Sequence, residues 1–125
     1  MSMEALGRRL VACKHFRWVP GMVVYGRSVQ PFGWLGRVRL TESHEHPTQL
    51  RDPWPDLADG ATRGAVLALV REAWNAPHAA PQWDQRWQHW AVLAPDYNQE
   101  CEAWKNLGAE NTEAEALAVA LEAAP

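Results

Sequence analysis

Apolar residues recur every three or four positions near the N-terminus, which is the period of an amphipathic helix. Within residues 2–16, Leu6, Leu10 and Cys13 fall on one face, while the basic residues between them project elsewhere. Ser2 precedes this pattern and has the side chain of an N-cap residue. The segment therefore predicts a first helix with one buried face.

Two further segments have the same period. Residues 61–74 are the strongest helical segment of the chain, with one apolar stripe, and either Asp59 or Thr62 can cap this helix. In the C-terminal segment NTEAEALAVALEAAP, Thr112 stands three positions before Glu115, which is the spacing of a capping box. Leucine, valine and alanine residues follow on one side. Both segments predict helices.

Apolar and polar residues alternate in the region between the first and second predicted helices. Residues 36–42 place Val38 and Leu40 on one face and arginines on the other, and residues 21–27 are strand-like after a Pro–Gly break. The two segments predict a β-hairpin. Residues 43–60 contain three prolines and predict a long loop, because proline cannot donate to a strand ladder.

A tryptophan-rich segment follows the central helix and allows two interpretations. Its tryptophans have the i, i+4, i+7 spacing of one helical stripe (Trp83, Trp87 and Trp90). A helix over residues 83–90 is therefore one interpretation. The other is a strand over residues 86–94, which alternates and ends at a turn, followed by a second strand over residues 100–108. We prefer the hairpin and keep the helix as the alternative.

The resulting element order is α-β-β-α-β-β-α. It predicts an α+β fold in which one two-layer domain spans residues 1–125 and an antiparallel sheet of about four strands packs against three helices.

The net charge is −3, but the charges are unevenly distributed. Residues 1–50 hold seven Lys or Arg and three Asp or Glu, whereas residues 96–125 hold one and seven. The basic half can attract phosphate groups, and the acidic C-terminal part argues against binding of duplex DNA. No apolar run reaches the roughly 18 residues that a membrane span needs, so we expect no membrane association.

The sequence contains none of the common catalytic motifs. It has no nucleophile elbow, no phosphate-binding loop and no dinucleotide fingerprint. The HEH sequence at residues 44–46 offers two histidines, but a metal site needs three or four converging ligands, and His78 or His89 would have to join them. Cys13 and Cys101 have neither metal nor redox spacing. We therefore predict no catalytic residue, no metal and no cofactor.

Arginine and tryptophan together form the residue set of a nucleotide-binding site, because tryptophan offers a flat face for a base and arginine a fork for phosphate. Protein interfaces use the same residues as hot spots. Trp54 lies between two prolines and is the best candidate for an exposed functional tryptophan. The predicted ligand-binding residues are Trp34, Arg37, Arg39, Trp54, Trp83, Arg86 and Trp90.

Most of the eight tryptophans are expected to fill the core, because large aromatic side chains usually bury most of their area. The tryptophans that we predict to be in the core are Trp18, Trp74, Trp87 and Trp104.

Four blocks of the chain resemble a group of small accessory proteins encoded by tailed phages and prophages. The resemblance covers most of the chain, in the blocks RWVPGM (17–22), GRVRL (36–40), PDLADGATRGAVLALVREAW (55–74) and TEAEALAVALEAAP (112–125). It implies a protein of the infected bacterial cytoplasm that serves in host take-over or blocks host defence. Some proteins of this kind sequester nucleotide signals, but no sequestering motif can be transferred residue by residue.

The function expected first is a non-enzymatic accessory protein that counters antiviral defence by sequestering a nucleotide-type immune signal. A protein-binding inhibitor of a host or defence enzyme, anchored by exposed tryptophans, is the alternative, and a nucleotide-cleaving enzyme is a third. A concave pocket with arginine and tryptophan favours the first, and an exposed apolar patch favours the second. We also expect a homo-oligomer, most simply a dimer, because a small sheet leaves open edges.

Overall fold

The computed structural model describes residues 2–28, 35–41, 47, 50–96 and 103–125. Within them the chain forms an α+β fold with three helices and two three-stranded antiparallel sheets. The chain divides into two compact units. The first comprises Met1–Ala12 and Phe16–Ala65, and the second comprises Cys13–His15 and Val66–Pro125. The observed order α-β-β-β-α-β-β-β-α contains two strands more than the four that the sequence predicted, and the strands form two sheets and not the single predicted sheet.

The first unit confirms the predicted first helix and the first hairpin. It contains helix α1 (Met3–Val11) and strands β1 (Val23–Ser28), β2 (Leu35–Arg39) and β3 (Leu50–Pro55), in the sheet order β2-β1-β3. Ser2 caps α1 as predicted, since its hydroxyl accepts a hydrogen bond from the Ala5 N–H at 3.0 Å.

The third strand corrects the prediction of a loop over residues 43–60. β3 pairs antiparallel with β1 although it contains Pro53 and Pro55. It lies at the edge of the sheet, where a residue without an N–H is tolerated. A β-bulge sets two residues of β3 against Gly26 of β1, and Asp52 in the bulge has a φ of 47°. The proline rule therefore excludes a central strand here, but not an edge strand.

The second unit contains strands β4 (Ala80–Asp84), β5 (His89–Asp96) and β6 (Ala103–Glu110), followed by helix α3 (Glu113–Glu122). The sheet order is β4-β5-β6, so each strand pairs with its neighbour in sequence. The β5–β6 pairing confirms the predicted hairpin. The helix over residues 83–90 is excluded by the β4–β5 pairing, in which Trp83 lies opposite Trp90. β4 was not predicted as a strand.

Helix α2 (Gly60–Trp74) confirms the central helical prediction, and Asp59 is its cap. The Asp59 carboxylate accepts hydrogen bonds from the Thr62 N–H at 3.0 Å and from the Thr62 hydroxyl at 2.9 Å. The helix ends at Trp74, and the next residue, Asn75, has a φ of 52°. Its N–H donates to Glu72 O at 3.2 Å and the Ala76 N–H donates to Arg71 O at 2.8 Å, which is a Schellman motif.

Two glycines mark where a helix lies directly on a strand. A Cβ at Gly7 of α1 would come within 2.8 Å of the Pro55 carbonyl oxygen. A Cβ at Gly108 of β6 would come within 2.5 Å of the Ala120 nitrogen and 3.0 Å of the Ala116 carbonyl oxygen. Only glycine permits these approaches. Gly7 therefore offsets its poor helix propensity by the packing that it allows.

The last helix is buried as its apolar pattern predicted. Leu117 and Leu121 are fully buried, and Thr112 caps the helix by accepting a hydrogen bond from the Glu115 N–H at 3.1 Å. Within the described part of the chain, no helix is both long and apolar enough to cross a membrane.

Candidate functional site

Arg37 and Arg39 of β2 are both engaged in ion pairs within the first unit. Arg39 forms a two-pronged contact with Asp59, at 3.1 Å and 3.4 Å, and donates to Gly21 O at 2.7 Å. Arg37 donates to Asp56 at 3.3 Å. The hydrogen bond from Arg39, with further ones from Thr62, lowers the pKa of Asp59 below its ordinary value. These arginines therefore hold β2 to the segment that leads into α2.

Trp54 is buried, so the prediction that it is exposed was wrong. Its exposed fraction is 8%, and its ring stacks on Tyr25, with 4.8 Å between ring centroids and 27° between planes. The Arg37 guanidinium carbon lies 5.7 Å from the Tyr25 ring centroid. Trp54 and Tyr25 are paired across β3 and β1, which brings both rings to one face. The prolines on either side of Trp54 therefore belong to an edge strand and not to an exposed loop.

The second unit brings three of the predicted site residues together on the β4–β5 hairpin. Trp83 and Trp90 are directly opposite each other in the strand pairing. Their rings meet edge to face, with 6.0 Å between centroids and 67° between planes. Trp83 remains 46% exposed, and Trp90 is half-buried. An aromatic cross-strand pair of this kind stiffens the hairpin and holds both rings in place.

Arg86 and Trp87 lie in the turn that joins the two strands. The Asp84 carboxylate accepts hydrogen bonds from the Arg86 N–H at 3.0 Å and the Trp87 N–H at 3.4 Å, and Gln88 has a φ of 54°. The Arg86 guanidinium lies over the Trp87 ring, 5.5 Å from its centroid. Arg86 forms no ion pair with a described residue. We call Trp83, Arg86, Trp87 and Trp90 the tryptophan hairpin.

Several tryptophans lie elsewhere than the sequence predicted. Trp87 is 65% exposed and Trp104 is 58% exposed, so both predictions of a core position were wrong. Trp18 and Trp74 are half-buried. Trp87 belongs to a four-residue turn with polar neighbours on both sides, and the side chain of a turn residue has no sheet face to pack into. Asp84 followed by polar residues was the signal for that turn.

A separate cleft of about 470 Å³ lies in the second unit, where α2 ends. Trp74 forms one wall, and its indole N–H donates to Ala120 O at 2.7 Å. The Lys105 ammonium lies 4.9 Å from the centroid of the Trp74 ring. Residues of the turn after α2 and of strands β5 and β6 complete the lining. We call this cleft the Trp74 cleft. Its polar lining residues are Asn75, His78, Asp96 and Lys105.

Other predicted positions fall outside the residues that the structure describes. They are Trp34, the HEH sequence at 44–46 and Cys101. Among the described residues, no group of three or more His, Cys, Asp or Glu side chains is arranged to hold a metal ion.

The predicted site residues therefore separate between the units. Arg37, Arg39 and Trp54 belong to the first unit, and Trp83, Arg86 and Trp90 belong to the second. Trp87, predicted to be a core residue, and the combination of Trp74 with Lys105 were not among the predicted site residues. No periodic pattern links residues 74 and 105, because a helix end and a strand far apart in sequence bring them together.

No family model matches this chain, and neither a curated protein nor a solved structure matches it. The resemblance to small phage proteins therefore stays a prediction.

Proposed function

We propose that this protein is a non-enzymatic binding protein that attaches to a partner protein through the tryptophan hairpin. The observation that carries the proposal is the exposure of Trp83 and Trp87 beside an arginine without an ion pair among the described residues. Tryptophan and arginine dominate the binding energy of protein interfaces. By the resemblance stated above, the partner class is a host or defence enzyme, and binding inhibits it.

The geometry of the hairpin supports tight binding, since its side chains are held before a partner arrives. The cross-strand contact of Trp83 with Trp90 fixes one aromatic pair, and the two backbone hydrogen bonds to Asp84 fix the turn. Side chains that are already ordered lose less conformational entropy on binding. A buried tryptophan contributes a large apolar area, commonly 150–250 Å².

The chemistry of the hairpin also describes the surface of the partner. Trp83 and Trp87 require an apolar pocket, because burial of their exposed area is the main gain. The Arg86 guanidinium requires a carboxylate at the border of that pocket, since arginine binds carboxylates with two parallel hydrogen bonds. The expected partner therefore offers an apolar depression with an acidic rim.

Sequestration of a nucleotide-type signal by the arginines of β2 receives less support. Arg37 and Arg39 already bind Asp56 and Asp59, so a phosphate would have to displace a carboxylate in each case. Trp54 is buried under Tyr25 and offers little open face for stacking. Nucleotide binding stays a proposal, and the cleft at Trp74 is the place in the described chain where its chemistry fits.

The test compares capture of bacterial proteins by three immobilised forms of this chain. They are the wild type, the double variant Trp83→Ala/Trp87→Ala, and the matched control Trp104→Ala. The control removes a tryptophan at the far end of β6 whose exposed fraction lies between those of Trp83 and Trp87. Each captured protein is identified by mass spectrometry, and its affinity is then measured by calorimetry with purified components.

We expect one dominant partner that binds the wild type and the Trp104→Ala variant equally. The double variant should lose at least 30-fold in affinity, because hot-spot truncations cost about 2 kcal/mol or more. The single variant Arg86→Gln should also bind the partner more weakly than the wild type does, because it loses the ion pair with the acidic rim. A partner that binds the double variant as tightly as the wild type would show that the hairpin is not the interface.

A further inference from the structure

We infer that the Trp74 cleft binds a small organic anion in which a flat nitrogen heterocycle carries a phosphate or carboxylate group. This site is separate from the tryptophan hairpin, and it does not depend on partner binding. A volume of about 470 Å³ lies within the range of roughly 300–1,000 Å³ that small-molecule sites occupy.

The walls of the cleft are fixed by hydrogen bonds and not by loose side chains. The Schellman motif sets the turn that follows Trp74, and Arg71 Nε donates to Ala79 O at 2.8 Å across the same turn. The bond from the Trp74 indole N–H to Ala120 O, at 2.7 Å, fixes the plane of the ring. The cleft is therefore already formed before a ligand enters, which reduces the cost of binding.

Lys105 supplies the positive charge that an anion requires. Its ammonium lies over the Trp74 ring, and it forms no ion pair with any residue of the described chain. His78 lies at the exposed rim of the same cleft and can donate a second hydrogen bond. A lysine without an anionic partner beside an aromatic wall is suited to a ligand that carries its charge next to a flat ring.

The remaining lining residues define what the rest of the ligand must be. Pro95 and the buried Leu107 give an apolar wall that continues from Trp74. The Asn75 amide oxygen is a hydrogen-bond acceptor, so it matches an N–H group on the ring. An aliphatic acid has no flat face to lie against the Trp74 ring, and an uncharged heterocycle would leave Lys105 unmatched.

The test follows the indole N–H resonance of Trp74 in ¹H–¹⁵N spectra of the full chain, assigned with the Trp74→Phe variant. Two anionic heterocycles are titrated, adenosine 5′-monophosphate for the phosphate group and orotate for the carboxylate group. Adenosine and inorganic phosphate are titrated as the two halves of the first compound. The variant Lys105→Gln is compared with Lys14→Gln, which removes the other lysine of the chain from an exposed position.

We expect at least one of the two anionic heterocycles to shift the Trp74 resonance, and adenosine and phosphate to bind at least tenfold more weakly. Lys105→Gln should weaken the binding about tenfold or more, because it removes a charge-assisted contact, while Lys14→Gln should not. The double variant of the hairpin should bind as the wild type does, so a failure of the hairpin proposal leaves this result unchanged.

Three results would overturn the inference. The first is no shift of the Trp74 resonance by either compound at millimolar concentration. The second is equal binding by Lys105→Gln and the wild type. The third is an equal loss in both lysine variants, which would indicate a general effect of net charge.

Discussion

Because β6 and α3 lie in close contact at Gly108, we expect one added methyl group at this position to lower the free energy of unfolding. In the variant Gly108→Ala, the new Cβ would lie 2.5 Å from the Ala120 nitrogen and 2.8 Å from its Cα. These atoms belong to the helix backbone, which cannot rotate away as a flexible side chain can. Ordinary contact begins at 3.4 Å, so α3 and β6 must separate by about 0.9 Å.

This separation fixes the magnitude of the effect. A gap of 0.5–1 Å forfeits about a quarter to a half of each contact energy. Leu117 and Leu121 of α3 are fully buried, and burial of each contributes about 1.5–3 kcal/mol. Loss of a quarter to a half of both contributions is about 1–3 kcal/mol, which agrees with the usual cost of overpacking. We therefore expect Gly108→Ala to lower the free energy of unfolding by about 2 kcal/mol.

The same substitution in α2 is the matched control. Gly64 is exposed, and a Cβ there meets no atom within 4 Å. Gly64→Ala should raise the free energy of unfolding by about 0.5–1 kcal/mol, because alanine loses less backbone entropy in a helix. Urea unfolding followed by circular dichroism should move the two midpoints in opposite directions. A Gly108→Ala midpoint equal to or above the wild-type value would refute the close contact.

Four further outcomes are expected. A chain that ends at Asn111 should lose cooperative thermal unfolding, because it lacks α3; a normal melting temperature would contradict that packing. Thr62→Val should cost about 1–3 kcal/mol in urea unfolding, because the buried Val23 N–H loses its acceptor at 2.8 Å; an unchanged midpoint would contradict this. The folded-state pKa of Asp59 is lowered, so its contribution to stability is present above its ordinary pKa near 3.8 and is lost as the pH falls through the lower folded value. Asp59→Asn should therefore destabilise at pH 7 and progressively less below pH 4, and a pH-independent difference would exclude the ion pair as the cause. Sedimentation should show a dimer, and a 14.1 kDa species at tens of micromolar would remove that expectation.

The sequence predicted those elements whose patterns are local. Helices and their caps depend on residues within one or two turns, so Ser2, Asp59 and Thr112 were all found as capping residues. The β1–β2 hairpin likewise followed from alternation over a few residues. Strands β3 and β4 were missed because both contain proline, and the sequence does not reveal which strand will be at a sheet edge.

Burial of individual tryptophans was much less predictable. Trp54 is covered because Tyr25 lies opposite it on another strand, and Trp87 is uncovered because the chain turns where it stands. The burial of Trp54 depends on strand register, which a shift of one residue would reverse, and the exposure of Trp87 depends on where β4 ends and the turn begins. The Trp74 cleft depends on the meeting of α2 and β6, and no spacing within the sequence encodes that meeting.

The different strand orders of the two sheets also affect how quickly each can form. In the β4-β5-β6 sheet every strand pairs with the next one along the chain, so its contacts close short loops. In the β2-β1-β3 sheet, β3 pairs with β1 and not with β2, which precedes it in sequence. The paired strands β1 and β3 are separated by residues 29–49, so this pairing closes a longer loop. Low contact order speeds folding, because less chain entropy is lost before native contacts form. The second unit is therefore expected to acquire protected amides first in pulsed hydrogen exchange, and the tryptophan hairpin would be assembled while the edge strand β3 is still unpaired.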